Sequence, residues 1–274
     1  MLKSKKSLKD KADWVRRETI RIHGIAPQTR VASSLSCVEI LTALYYGKVL
    51  SFDKRGKKSA KRDRLVLSKG HGAVSIYPIL ADLGFFNPRE LRRVCQAGSF
   101  LGSIPDTLIP GIETTNGSLG HGLGVSCGIS IALRLAKDRH KVFALIGDGE
   151  LYEGSVWEAV MFAGHHKLSN IIAIVDNNGI SMLDYCRRII DLRPYEQKFR
   201  AFGWKAETVD GHDVLALRQC LARLKSDKTR YPKVVIAKTV KGKGVPSLES
   251  DALCHIKSLS NNEVSDLLKG ADEE

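Results

Sequence analysis

No apolar run of the roughly 18 residues needed to cross a bilayer occurs in this chain of 274 residues, so a membrane-spanning role is not expected. The basic opening, MLKSKKSLKDKADW, has no apolar segment behind it and does not read as a secretory leader, so a cytoplasmic location is expected. Cysteine is sparse and scattered (Cys37, Cys95, Cys127, Cys186, Cys220 and Cys254), with no CxxC pair. That spacing disfavours a zinc site and a disulfide framework, and predicts free thiols in a reducing compartment. Acids are the scarcer charge: 30 Asp and Glu face 43 Lys and Arg, a formal net charge of +13. The excess gathers only at residues 3–11, 54–64 and 137–141, without interleaved aromatic residues. A nucleic-acid module is therefore not expected. Attraction of anionic substrates or of an acidic partner subunit fits better, and an undirected solvated surface fits as well. Internal repeats and low-complexity segments are absent too.

What is present is organised around residues 141–180, KVFALIGDGELYEGSVWEAVMFAGHHKLSNIIAIVDNNGI. Apolar runs over 142–146 and 171–175 read as strands. Between them, residues 154–166 have helical spacing, with Val156, Ala159, Val160 and Ala163 on one face. Two strands joined through such a helix make a right-handed parallel βαβ unit, whose loops lie together at the carboxyl edge of a sheet. There Asp148 offers a carboxylate and Asn178 an amide oxygen, hard ligands of the kind Mg²⁺ takes alongside phosphate oxygens. Gly147 and Gly149 permit close backbone approach, and the following helix directs N–H groups to the same place. The unit is suited to a metal-bridged diphosphate.

The rest of the chain alternates in the same manner. A polar tail is expected over residues 1–12, then a helix from Asp13 with Trp14, Val15, Thr19 and Ile22 on one face, broken by Gly24 and Pro27. Further helices are expected over 38–45, 74–83, 89–96, 125–135, 195–202, 214–224 (capped by Asp213) and 262–269. Strands are expected over 64–67, 205–209 and 233–240, a charged loop over 52–63 and an irregular stretch over 182–195. The expected architecture is a single α/β domain over residues 13–274: a doubly wound, mainly parallel sheet with helices on both faces.

The segments Gly147-Asp148-Gly149-Glu150-Leu151-Tyr152-Glu153-Gly154 and Asp176-Asn177-Asn178-Gly179-Ile180 resemble the thiamine-diphosphate (ThDP) motif of the transketolase family. The resemblance extends to Ser68-Lys69-Gly70-His71-Gly72, to Gly117-Ser118-Leu119-Gly120-His121-Gly122-Leu123, to Lys241-Gly242-Lys243-Gly244 and to Leu253-Cys254-His255, about residues 13–260 in all. It implies ThDP held through a divalent cation, Mg²⁺ with Ca²⁺ or Mn²⁺ as substitutes. Asp148, Asn178 and the Ile180 carbonyl would hold the metal. Gly117, Leu119, Gly120, Gly147, Gly149 and Glu153 would line the cofactor, and Glu153 matches a residue linking the family's two active sites. His71 and His255 would reach the diphosphate or transfer protons. His212 reads better as part of a capping turn than as a catalytic group.

Two positions depart from the family pattern. Arg30 stands where the family has a histidine near the donor hydroxyls, and as a permanent cation it either clamps an anionic group or points to solvent. Ile104 stands at the place of a second histidine. The resemblance covers only the diphosphate-binding domain and omits the pyrimidine-binding domain that activates the cofactor. It therefore implies the N-terminal subunit of a split transketolase, partnered by a complementary C-terminal subunit in an α₂β₂ assembly, with sugar or keto-acid substrates. The departures leave the transferred unit open between ketol and acetyl, with pyruvate as one acetyl donor. A non-catalytic regulatory subunit that kept the fold is the alternative.

Overall fold

A computed structural model describes residues 7–53, 59, 61–249 and 251–269. Residues 1–6 of the expected tail, six residues of the expected charged loop and the terminal ADEE lie outside the described residues. Five strands form one parallel sheet: β1 (Arg64–Leu67), β2 (Val142–Gly147), β3 (Ile171–Asn177), β4 (Lys205–Asp210) and β5 (Lys233–Lys238), in the order β1-β2-β3-β5-β4. The strands lie where the sequence places them, with ends shifted by no more than two residues. Side chains alternate across the pleat, so each strand divides its apolar residues between two buried faces. Leu65, Leu67, Phe143, Leu145, Ile172, Ile174, Val235 and Ala237 pack to one side, under α1 (Leu8–Ile25), α3 (Val38–Tyr45), α4 (Ile76–Asp82) and α9 (Val214–Ser226). Val66, Ala144, Ile146, Ile171, Ala173, Val175, Val234 and Ile236 pack to the other, under α5 (Gly122–Leu135), α6 (Gly154–His165) and α8 (Tyr195–Ala201).

This division positions the site. The chain leaves the carboxyl end of β1 toward the first face, into α4, and leaves β2 toward the second face, into α6. Loops that depart to opposite faces from neighbouring strands open a crevice at the sheet's carboxyl edge. The gap between the ends of β1 and β2 is such a switch point. Four further α-helices occur among the described residues: α2 (Val31–Leu35), α7 (Cys186–Ile189), α10 (Pro246–Glu249) and α11 (Asn261–Lys269).

Several local expectations are corrected. The first helix begins at Leu8, not Asp13, because Ser7 and Asp10 form a reciprocal capping box that starts it earlier. Residues 8–12 are thus helix, not tail. The helix expected over 74–83 is α4 from Ile76 to Asp82, entered from a 3₁₀ segment, Gly70–Ser75, that takes its first two residues. The helix expected over 89–96 is only a 3₁₀ turn, Pro88–Arg93, capped by Asn87. It stops because Val94 is extended and buried and Cys95 takes a positive φ of 60°. The stretch over 182–195 contains the short helix α7, and α5 begins at Gly122 rather than Val125. All six cysteines are free, five of them buried. Among the described residues, no helix is long and apolar enough to cross a membrane.

His23 pins the start of the chain to its end. Its Nδ1 lies 2.9 Å from Thr29 Oγ1, whose own proton goes to the Ala26 carbonyl, so the imidazole donates there. Its Nε2 accepts from the Leu259 N–H at 3.1 Å. Only the neutral ring satisfies both contacts, and burial holds its pKa down at about 4. The unfolded chain takes up this proton near pH 6.5, so stability is lost as pH falls from 6.5 toward 4. The loss from this one group amounts to about 3 kcal/mol. Replacement by His23→Gln is expected to shrink the difference between denaturant midpoints measured at about pH 7 and about pH 4.5.

Candidate functional site

The carboxyl ends of β1, β2, β3 and β5 converge on a cleft of about 230 Å³. Beneath it lies a buried ion pair. Lys69 leaves the end of β1, passes over Gly147 of β2 and places Nζ on the carboxylate of Asp176 in β3. The same ammonium donates to the Ser33 carbonyl at 2.9 Å and Ser36 Oγ at 2.8 Å. Asp176 also accepts from Ser36 Oγ at 2.6 Å and from the Thr239 hydroxyl. Burial alone would push the carboxyl up and the ammonium down, but their mutual attraction outweighs it and keeps the pair ionised.

Asp148 has no such cation bonded to it. Its two carboxylate oxygens take the backbone N–H groups of Gly149 at 2.9 Å and Gly179 at 2.6 Å. Burial, then the neighbouring Asp176, pushes its pKa up to about 6. Asn178 Oδ1 accepts from the Ile180 N–H at 3.2 Å. The Ile180 carbonyl accepts from Lys241 Nζ at 2.7 Å, and that ammonium also bonds the Ser181 carbonyl at 2.8 Å. Burial, then Lys69, holds Lys241 down at about 8. A carboxylate, an amide oxygen and a carbonyl from adjoining loops, with no cation bonded to the carboxylate among the described residues, fit a hard divalent cation. Among the described residues there is no cluster of three His, Cys, Asp or Glu side chains that would suit a softer metal.

His71 and His255 stand together across the cleft, ring centroids 5.1 Å apart, with Nδ1 of His255 3.1 Å from Ser33 Oγ. Burial lowers both pKa values, with Arg30, Lys69 and Lys241 adding to it. His255 falls to about 3, so this imidazole is neutral at physiological pH. Glu150, a buried residue of the cleft lining, accepts from Ser68 Oγ and from the N–H groups of Gly120 at 3.0 Å and Gly147 at 3.2 Å. It thereby fastens the Gly117–Gly120 loop to the end of β2. Gly122 has no room for a side chain, since a Cβ there would sit 2.8 Å from the Ser68 backbone.

Of the residues singled out in the sequence, His71, Leu119, Gly147, Asp148, Gly149, Glu153, Asn178, Ile180 and His255 line this cleft. Gly117 and Gly120 lie on the adjoining loop, where Ile104 Cδ1 packs against Gly117, so Ile104 stands behind that loop and does not line the cleft. Arg30 precedes α2 and is half-buried. Among the described residues its guanidinium makes no hydrogen bond or ion pair, yet it lies near enough to depress both histidines. His121 is exposed at the start of α5, away from the cleft. His212 bonds Glu39 Oε2 at 3.0 Å and accepts from the Val240 N–H at 2.8 Å, a structural clamp. Asp213 caps α9 as expected. Sequence reasoning missed Ser33, Lys69, Glu150 and Lys241. Lys69 and Lys241 sit inside motifs already quoted, and an ionisable group directly after a strand end was the available signal.

The fold and the cleft define a ThDP-type diphosphate-binding α/β domain. The family model for "Transketolase, thiamine diphosphate binding domain" matches residues 27–271, and the chain belongs to the transketolase family. It is 35% identical to the 6-deoxy-6-sulfo-D-fructose transketolase subunit SqwG of Clostridium sp. (strain MSTE9), covering 92% of each chain. It is 34% identical to one of the subunits of the apulose-4-phosphate transketolase of Phocaeicola vulgatus, covering 88% of this chain and 85% of that one. Human transketolase is also 34% identical, but the match covers 96% of this chain and only 42% of the human one. Among solved structures, the transketolase of Campylobacter jejuni superposes with a TM-score of 0.90 at 28% identity, over 97% of this chain and 42% of that one.

Removing one partner of the buried pair leaves the other ionised and unpaired, which costs about 3–5 kcal/mol. Lys69→Met is expected to destabilise the chain by that order in urea denaturation. Adding Asp176→Asn to it is expected to recover most of the loss, as a double-mutant cycle would read out.

Proposed function

We propose that this chain is the diphosphate-binding subunit of a split, ThDP-dependent transketolase-like enzyme, which transfers a two-carbon unit to an aldehyde or keto sugar. The observation that carries this is the meeting of Asp148, Asn178 and the Ile180 carbonyl with Lys69, Lys241, His71 and His255 in one switch-point cleft. A purely regulatory subunit would give no reason to keep a buried carboxylate to which no cation is bonded among the described residues. Asp148, Asn178 and the Ile180 carbonyl would hold Mg²⁺ (or Ca²⁺ or Mn²⁺). Gly149 and the Gly117–Gly120 loop would face the cofactor, with Lys241 and the two imidazoles toward the diphosphate. When bound, ThDP supplies the carbanion chemistry that breaks and forms the C–C bond. Neutral His71 and His255 can each donate or accept one proton at the reacting end, and Lys69 keeps Asp176 ionised beneath them.

The complementary chain would supply the pyrimidine-binding domain. An exposed face over α5 and α6, with Val125, Leu135, Met161 and Phe162 outward and open space beside Gly124 and Gly128, is suited to association in an α₂β₂ assembly. Free thiols throughout fit a cytoplasmic setting.

Arg30 bears on the substrate. A half-buried guanidinium without a partner among the described residues, close to both histidines, favours an anionic donor such as the carboxylate of a 2-keto acid. Ile104, whose Cδ1 packs close to Gly117, stands where the family has a second histidine and offers no hydrogen bond to a donor hydroxyl. We therefore favour acetyl transfer from pyruvate over ketol transfer.

The assignment is tested on the chain reconstituted with its complementary subunit. Asp148→Ala is expected to abolish Mg²⁺-dependent ThDP binding in calorimetry while leaving the circular dichroism spectrum unchanged. Turnover by the isolated chain would overturn the split-enzyme reading. The substrate reading expects the complex to consume pyruvate, and Arg30→Leu to raise its KM about tenfold or more. Turnover with xylulose 5-phosphate alone would refute it.

A further inference from the structure

The amino-terminal edge of the sheet, opposite the cleft, holds a larger concavity. Lys141 directly precedes β2, Asn170 precedes β3, and Arg230 comes shortly before β5. Together with the ends of α5 and α6 they enclose an open basin of about 740 Å³. Five side-chain cations line it: Arg134, Arg139, Lys141, Lys167 and Arg230. The only acid among its described lining residues is Asp138, and its Oδ1 is already engaged by the backbone N–H of His140 at 2.9 Å and by the imidazole Nδ1 at 2.5 Å. Arg134 donates to the His166 carbonyl at 2.9 Å. Among the described residues, the side chains of Arg139, Lys141, Lys167 and Arg230 make no hydrogen bond or ion pair. Two further acids, Asp63 and Asp227, attract Lys141, but each is already paired with another lysine, Asp63 with Lys225 and Asp227 with Lys205.

Basic residues are expected at helix carboxyl ends, because each end carries about half a negative charge. Two helices end here, α5 and α6, which with Asp138 makes about two negative charges. Five cations against these leave a surplus of about three, more than the helix ends call for. The five cations line one concavity: Arg134, Arg139, Lys167 and Arg230 are exposed around it and Lys141 is half-buried. Burial holds Lys141 below the ordinary lysine range, and burial also brings neighbouring Lys233 down to about 8. Lys233 already donates to the Ser169 carbonyl at 2.9 Å, so it closes the floor of the basin and does not add a free donor.

We propose that this basin binds a compact polyanion of the polyphosphate class, at a site separate from the diphosphate cleft. The charge surplus matches a contiguous chain of two or three phosphates, and arginine guanidinium groups pair with such oxygens in bidentate fashion. A nucleic acid fits less well, since the lining offers no aromatic platform beyond the imidazoles of His165 and His166 on which bases would stack. Inorganic polyphosphate and the phosphate tail of a nucleoside triphosphate share this chemistry, and the two are separated by experiment.

Tripolyphosphate and ATP are titrated calorimetrically into the full chain at about 0.15 M salt, where diffuse surface attraction is screened. The expected result is saturable binding of one ligand per chain. In the double variant Arg139→Gln/Arg230→Gln, at two exposed positions, binding should weaken about tenfold or more. In Lys241→Ala, which removes an ammonium from the opposite cleft, it should not change. Equal affinity for the two ligands assigns recognition to the phosphates alone, and tighter ATP binding adds a nucleoside contact; both support the site. Absence of saturable binding overturns the proposal. So does equal affinity in the double variant, loss in Lys241→Ala, or tighter binding of a duplex oligonucleotide that the double variant abolishes.

Discussion

The ion pair between Lys69 and Asp176 is the constraint from which the rest of the site follows. It joins the end of β1 to β3 across the intervening β2, and the same ammonium reaches back to Ser33 and Ser36 around α2. Four segments far apart in sequence are thereby held at one depth. On the way the aliphatic stem of Lys69 lies over Gly147, 3.6 Å from where a side chain there would start. A buried pair of this kind is poor evidence for stability, because desolvation offsets much of the attraction. Its value here is positional: it pairs the ammonium with one aspartate, Asp176, and leaves the adjacent one, Asp148, without a bonded cation among the described residues.

That asymmetry separates the roles of two neighbouring carboxylates. Asp176 is satisfied by an ammonium and three hydroxyl or amide donors, and serves as scaffold. Asp148 takes two backbone N–H donors and no bonded cation among the described residues, and burial, then the neighbouring Asp176, raises its pKa. Glu150 adds a third level, holding the glycine loop against the strand end. Two neutral imidazoles then face a cleft whose floor is cationic. The molecule is polarised: the groups suited to cofactor chemistry gather at the carboxyl edge of the sheet, while the surplus cations at the amino edge lie apart from them.

Much of the fold was legible because its signals are local. A strand buried on both faces is a short apolar run, and β2 and β3 were placed within two residues by that pattern alone. Asp148 and Asn178 were legible for the same reason, as polar residues directly after such runs. Less legible were the segments whose winding is set by what they pack against. The 3₁₀ segment Gly70–Ser75 carries small residues that suit a helix start equally well, and the turn Pro88–Arg93 looks like a longer helix until Val94 is buried. The early start of α1 was present in the sequence as Ser7 and Asp10, a capping box overlooked within a charged stretch.

The sequence by itself determined the alternation of strand and helix, the ligand-bearing strand ends and the family resemblance, since each is written in contiguous residues. Only the tertiary structure decided which groups meet there. Lys69 and Asp176 are 107 residues apart, Ser33 and His255 are 222 apart, and Lys241 reaches Ile180 across 61. These encounters depend on strand order and on which face each helix covers, and packing of two apolar faces sets both. The same packing placed Ile104 behind the glycine loop and set Arg30 beside two histidines, because alignment fixes a residue's position along the chain and not the direction of its side chain.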